Sequence, residues 1–421
     1  MGPFIAVHDD TPPSVWRLTL LVLGRLRSLL GTVLLAALAF GALPGPDPAQ
    51  ATETSAQQAL MVDHDTGTVL LHKDVDTPVV PASLAKLMTL EVVFHAIGEG
   101  RLDLNDEFFV SEHAWRTGGA PSRTATMFAE VNSNIPLSDL LRGIMVQAAN
   151  DACIAIAEGM AGSEEAFAEL MNERAAAIGL QDSVFKNATG LPGPEGQQTS
   201  VRDMMVLARH LVDEYPYLYR IFGEPEFTWN GINQRNRNPV FQNIDGIDGL
   251  MAGYAEESGF GLVASANNDG RRTTLVVHGL PSSDARVAEA RKLFSWASRA
   301  FERVELFEAG QPVGQVGVYG GDVGRVTLTG QGPISVLVPR GERGSLRGRI
   351  VYTGPLRAPV REGDRVGVLR LQDNDETIIN EVPLYAAQSV DVGPLHRRAF
   401  DAALELVIGL VYSGVEAATS R

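Results

Sequence analysis

The chain has 421 residues, 45% hydrophobic and 20% charged, a globular balance that excludes both a disordered chain and a polytopic membrane protein. One hydrophobic core rarely grows past about 250–300 residues, so two or three domains are expected. The formal net charge of −16 argues against a sequence-independent nucleic-acid binder, and the single cysteine, Cys153, excludes an intramolecular disulfide and a cysteine-built zinc site.

The N-terminus carries an address. Arg17, Arg25 and Arg27 precede an apolar run from Leu29 to Leu43, which Pro44-Gly45-Pro46 ends and Ala49-Gln50-Ala51 follows. Basic residues, an apolar stretch and small residues at the first and third positions of a triplet mark a signal peptide. Residues 1–51 are expected to be removed, leaving a mature chain that begins near Thr52 and works outside the cytoplasm. An uncleaved anchor is the alternative, because Leu18–Leu23 adds a second apolar stretch.

Leu60–Asp63 and Thr68–Leu71 flank Asp65-Thr66-Gly67, the pattern of a β-hairpin. From Ser83 the period changes: Leu87, Leu90, Phe94 and Ile97 recur at helical spacing up to Gly98, which predicts an amphipathic helix with a serine at its start. Further helices are predicted over 137–145, 151–160, 164–178 and 201–212. Runs at 261–266 and 273–277 bracket Asn268-Asp269-Gly270, a second hairpin signal, before a helix over 285–301. After about Leu306, short β-branched runs between glycines (316–319, 325–328, 334–338, 349–352 and 366–371) imply a small all-β domain. Near the end, Phe400, Ala403, Leu404, Val407, Ile408 and Val411 form one stripe opposite Arg397, Arg398, Asp401 and Glu405. Such a segment packs on a core or lies in a membrane surface. The β domain should be complete before it, which favours the membrane.

The sharpest chemical signal is Pro81-Ala82-Ser83-Leu84-Ala85-Lys86. Residues three apart share a helix face, so Lys86 can reach the Ser83 hydroxyl and act as the base a serine nucleophile needs. The first helical turn also offers free amides to an oxyanion. Spacing alone is cheap, because Ser183-Val184-Phe185-Lys186 has it too, without helical periodicity behind it.

The hairpin leading into Ser83-Leu84-Ala85-Lys86 closely resembles the serine D-alanyl-D-alanine carboxypeptidases, the low-molecular-mass penicillin-binding proteins. The resemblance continues through Asn150-Asp151-Ala152, Ala188-Thr189-Gly190-Leu191-Pro192, Asn236-Arg237-Asn238, Asp248-Gly249-Leu250 and Gly261–Ala266, and it reaches Pro355-Leu356 and Gly363-Asp364. It implies an α/β transpeptidase-like catalytic domain (an antiparallel sheet with helices) over 52–305, a β-rich domain over 306–393 and an amphipathic inner-membrane anchor over 394–421. The implied function is periplasmic trimming of the terminal D-alanine from peptidoglycan stem peptides, with β-lactams as acylating inhibitors.

Carried over by position, Ser83 is the nucleophile, Lys86 its base and Asn150 the retained end of the family's Ser-x-Asn motif, which here reads Ala148-Ala149-Asn150. The Lys-Thr-Gly motif reads Met251-Ala252-Gly253. Gly253 keeps its place at the substrate, and Arg237 resembles a position near the substrate carboxylate. Met251 and Ala252 offer that carboxylate neither charge nor hydroxyl, and Ala148 cannot relay a proton to the leaving amine. Without a lysine beside it, Lys86 should also hold its proton more tightly. Losing one transition-state donor costs on the order of 3–4 kcal/mol, roughly 10²–10³ in rate. Reduced activity is expected, with a non-catalytic stem-peptide or wall-synthesis binding protein as the rival and a β-lactamase as a weaker third reading. Cys153 is expected to be a packed thiol. The histidines lack metal-ligand spacing and Gly320-Gly321 lacks the helix of a phosphate loop, so no metal and no cofactor are expected.

Overall fold

A computed structural model describes residues 53–399 except 194, 269, 341–345, 355 and 374–375. The segment 1–51, expected to be a signal peptide, and the stripe from Phe400 onward therefore lie outside the described residues, as does Pro355.

The first domain begins with β1 (Gln58–Asp63) and β2 (Val69–Lys73), then a 3-10 turn over Ala82–Ala85 that runs straight into α1 (Lys86–Gly98). A helical lobe follows: β3 (Glu107–Phe109), α2 (Glu112–Thr117), β4 (Asn134–Pro136), α3 (Leu137–Gln147), α4 (Asn150–Ala161), α5 (Glu164–Ala177), α6 (Val201–Glu214) and α7 (Pro216–Tyr219). The chain then forms the small hairpin β5 (Glu226–Trp229) and β6 (Ile232–Arg235), returns to the main sheet as β7 (Ile247–Ala255), β8 (Gly259–Asn268) and β9 (Arg271–Leu280), and closes with α8 (Ser283–Ala300). The main sheet is antiparallel with order β2-β1-β9-β8-β7, so β7 is an edge strand.

Alternation along the strands builds two cores. Leu60, Val62, Val263 and Val276 face the helical lobe, while Ala59, Met61, Leu262, Ala264, Leu275 and Val277 face α8. A sheet covered on both sides needs apolar residues at both parities, which is why β8 and β9 are buried over most of their length. Four helices start where a serine side chain accepts an N–H of the first turn: Ser111, Ser163, Ser200 and Ser282. Each such cap is worth about 1 kcal/mol.

The helix after Ser83 differs from the amphipathic element expected of it. Residues Lys86 to Phe94 are all buried, so α1 is a central helix with no solvent face. Its polar residues find partners inside: Thr89 Oγ1 donates to Ala188 O at 2.7 Å, and Glu91 pairs with Arg174 at 2.6 Å.

The second domain carries β10 (Phe301–Phe307), β11 (Gly314–Tyr319), β12 (Arg325–Thr329), β13 (Ile334–Pro339), β14 (Arg347–Tyr352), β15 (Leu356–Arg357), β16 (Arg365–Gln372) and β17 (Ile378–Ala386). A six-stranded sheet of order β14-β16-β17-β12-β11-β15 and the pair β10-β13 enclose a core that includes Val316, Val326, Leu328, Val336, Leu369 and Leu384. Strand β10 starts at Phe301 and pairs with β13, so it crosses the 305/306 boundary expected from the sequence. The helix expected to reach 301 ends one residue earlier, where Phe301 turns to extended backbone.

Candidate active site

Pro81 sets the entry to the 3-10 turn with φ −67°, and the Leu84 N–H returns to Pro81 O at 3.1 Å. The turn leaves Ser83 half-buried and makes Lys86 the first residue of α1, wholly enclosed. Lys86 Nζ lies 3.1 Å from Ser83 Oγ and donates to Thr189 O at 2.6 Å. Burial pulls its pKa from 10.5 to about 8, and the Arg237 guanidinium adds to the fall while Glu164 opposes it. Cys153 is fully buried, as expected, with its thiol pushed up to about 12 by that burial; it is neutral near Lys86 at physiological pH. A lysine poised near 8 is partly free base at neutral pH, which is what proton abstraction from a serine requires.

Thr189 belongs to a turn moulded around Asn187, whose Oδ1 accepts the N–H groups of Thr189 at 3.2 Å and Gly190 at 2.7 Å. Gly190 has φ +74°, and a Cβ there would fall 1.8 Å from Ala82 O. Only glycine lets this turn close on the nucleophile's backbone.

Opposite Ser83, α3 ends at Ala148 with φ +56°, and Asn150 opens α4. Asn150 Nδ2 donates to Thr124 Oγ1 at 2.9 Å, while its buried Oδ1 has no partner among the described residues. The third wall is the free edge of β7. A Cβ at Gly253 would stand 3.0 Å from Pro81 O and 3.4 Å from Ser83 N, so the strand passes the nucleophile more tightly than a side chain normally tolerates. The Ser83 N–H, in the first turn, has no intrahelical carbonyl to reach and is a ready oxyanion donor.

These walls enclose a cavity of about 400 Å³ that brings together Ser83, Ala148, Asn150, Arg237, Met251, Ala252 and Gly253. Every site position singled out in the sequence therefore lines it or, for Lys86, touches Ser83 beside it. Met251 is 3% exposed and packs in the helical-lobe core, so the third-motif position is apolar in place as well as in type. Arg237 is exposed at the cavity, with its main-chain N–H on Val146 O at 2.8 Å. Ser183 lies elsewhere, donating to Asp203 Oδ2 at 2.7 Å.

Arg286 is the functional residue that sequence reasoning missed. It is 7% exposed on α8, donates through Nη1 to Gly253 O at 3.0 Å and to Gly261 O at 3.1 Å, and places its guanidinium 5.3 Å from the Phe260 ring centroid. Burial lowers its pKa to about 10, still a cation at neutral pH beside a cavity that has no third-motif lysine. The signal was present: position 286 falls on the stripe of Ala290, Leu293, Phe294 and Ala297, where a charge needs a buried partner.

The family description D-alanyl-D-alanine carboxypeptidase matches residues 46–282, and that of the penicillin-binding protein 5 C-terminal domain matches residues 301–392. The chain is 34% identical to the D-alanyl-D-alanine carboxypeptidase DacA of Escherichia coli (strain K12), over 83% of this chain and 87% of that protein. It is 31% identical to the carboxypeptidase DacF of Bacillus subtilis (strain 168), over 80% of this chain and 86% of that protein. Among solved structures, penicillin binding protein 5 from Haemophilus influenzae is similar with a TM-score of 0.69 and 31% identity, covering 81% of this chain and 98% of that one.

Proposed function

The chain belongs to the serine D-alanyl-D-alanine carboxypeptidase family, and from that membership we propose that it releases the terminal D-alanine of peptidoglycan stem peptides through an acyl-enzyme on Ser83. The observation that carries the reading is Lys86 Nζ at 3.1 Å from Ser83 Oγ, beside a cavity edged by β7. An extended peptide lies along the free edge of β7 and presents its penultimate carbonyl to Ser83. Lys86 takes the hydroxyl proton as Oγ attacks, the Ser83 N–H faces the oxyanion, and the proton passes to the departing amine of D-alanine. Water then hydrolyses the ester. The substrate carboxylate falls to Arg237 and Arg286, because Met251 and Ala252 supply no donor. Turnover is accordingly slower than in a relative with intact motifs.

Labelled penicillin followed by mass spectrometry tests the reading. One adduct on Ser83 and none in Ser83→Ala is the expected result. No adduct, under conditions that label a relative with intact motifs, favours the second reading, a stem-peptide-binding protein without turnover; Ala148, Met251 and Ala252 are the observations on its side.

The same proposal places the protein in the periplasm, attached to the inner-membrane surface by the Phe400–Val411 stripe. The Leu29–Leu43 run, Ala49-Gln50-Ala51 and the stripe itself support this. Deleting the residues after Leu395 should move the mature protein to the soluble fraction, and a truncated protein that stays on the membrane overturns the anchor.

A further inference from the structure

Behind Lys86, on elements that do not line the cavity, a buried carboxylate closes on the turn that holds it. Glu164 opens α5 with its side chain 14% exposed. Its Oε2 accepts the Ala188 N–H at 3.2 Å, and its Oε1 stands 3.4 Å from His113 Nε2. The Ala188 carbonyl is held by Thr89 Oγ1 at 2.7 Å, and the next carbonyl, Thr189 O, receives Lys86 Nζ at 2.6 Å. Thr89 and Lys86 share α1, so one peptide stretch ties α5 to both of them. Remove the Glu164 contact and the Ala188 N–H is left buried without an acceptor, which loosens the carbonyl that aims the base.

We propose that Glu164 is a positioning residue for the reaction at Ser83: its carboxylate pins the Ala188-Thr189 peptide, so that the Thr189 carbonyl holds Lys86 beside the Ser83 hydroxyl. The proposal rests on Lys86 being the base of the reaction proposed above. The groups facing Glu164 are His113 from α2, Glu165 on α5, Lys86 from α1 and Cys153 from α4. Burial dominates the Lys86 titration, and Glu164 is a lesser influence that raises it. Burial pushes the Glu164 carboxyl up, and the Ala188 N–H and then His113 draw it back.

The chain has four lysines, Lys73, Lys86, Lys186 and Lys292, and the other three are exposed. NMR of protein labelled with [13Cε]lysine therefore reads the Lys86 titration directly, without needing turnover. Glu164→Gln keeps an acceptor and removes the charge. Its Lys86 midpoint should fall, and its acylation by penicillin at pH 9, where Lys86 is mostly free base, should match the wild type. Glu164→Asp keeps the charge and withdraws it from the Ala188 N–H. Its midpoint should stay at the wild-type value while acylation at pH 9 drops about tenfold. A pH 9 acylation rate in Glu164→Asp equal to that of the wild type overturns the proposal, and if that variant does not fold, loss of acylation at pH 9 in Glu164→Gln, which keeps an acceptor for the Ala188 N–H, overturns it instead. A wild type that is not acylated at any pH overturns the acyl-enzyme reading and the Glu164 role with it, whereas an acylated wild type with an unaffected Glu164→Asp overturns the Glu164 role alone.

Discussion

An ammonium group sealed inside a protein loses its water, and unless a full counter-charge replaces that water the fold is weaker for it. Lys86 is in this position, with one hydroxyl and one carbonyl for company and a pKa lowered from 10.5 to about 8 by burial. The folded pKa is below the unfolded one, so between about pH 8 and 10.5 the unfolded chain holds more protons and stability rises with pH; it is lost again as pH falls through that window. The whole effect is on the order of 3 kcal/mol. Lys86→Met should melt higher than the wild type at pH 7, lack the rise between pH 8 and 10.5, and lose roughly 10²–10⁴-fold in acylation. Thermal melts across that pH range check the first two effects, and a labelled penicillin checks the third. The meeting of Ser83 and Lys86 was legible at this scale because a hydroxyl and an amine three residues apart come together on a helix-like turn. Arg286 was not, because its value depends on the carbonyls of Gly253 and Gly261, which only the β7-β8 pairing brings to it.

Strand β7 carries the element-scale argument, because three altered positions, Ala148, Met251 and Ala252, line the cavity it edges. Met251→Lys with Ala252→Thr should restore carboxylate binding and lower the Lys86 pKa further, and Ala148→Ser should restore the relay. Each donor is worth roughly 10²–10³ in rate, and because the groups act as a unit the triple revertant should exceed the product of the single effects. Hydrolysis of a D-Ala-D-Ala peptide and the melting temperature, taken on the same samples, check this. A well-folded triple revertant no faster than the starting protein would show that Arg237 and Arg286 have reorganised the site around themselves. Helix α1 shows why periodicity misleads at this scale. Lys86, Thr89 and Glu91 flank the apolar stripe, yet each is fully buried because α5 and the Ala188-Thr189 turn bring it a partner. A polar residue predicts a need for hydrogen bonds, and in the middle of a domain that need is met by protein instead of water.

At the scale of the molecule, α8 passes into β10 without a linker, and the domains touch again where Asn380 Nδ2 donates to Thr66 O at 2.7 Å and the Leu337 N–H donates to Thr68 Oγ1 at 3.1 Å. Beside these bonds a cleft of about 940 Å³ opens between β2, α6 and β17. Leu337 of β13 also packs into the α8-side core of the first domain, so the contact is part apolar and part hydrogen-bonded. Asn380→Ala should cost about 1–2 kcal/mol and resolve the thermal unfolding into two transitions, which calorimetry would register. The two-domain plan was legible from the change in texture after Leu306, but β17 was not. Pro383 interrupts its run, and proline within a strand signals an edge; β12 pairs with β17 only at Tyr385 and Ala386, so at Pro383 one side of the strand is locally an edge while the other pairs at Val368.

The free edge of β7 has one more consequence, for behaviour in concentrated solution. From Gly249 to Ala255 the strand holds no charged residue, and an unpaired edge without charge is a template for another chain's backbone. A lysine at 251 would have guarded it; the methionine does not. The edge proposed to hold an extended peptide is thus also where two molecules can zip together, and colloidal stability becomes a property of occupancy. Filling the groove should keep the protein monomeric at concentrations where the empty form begins to associate.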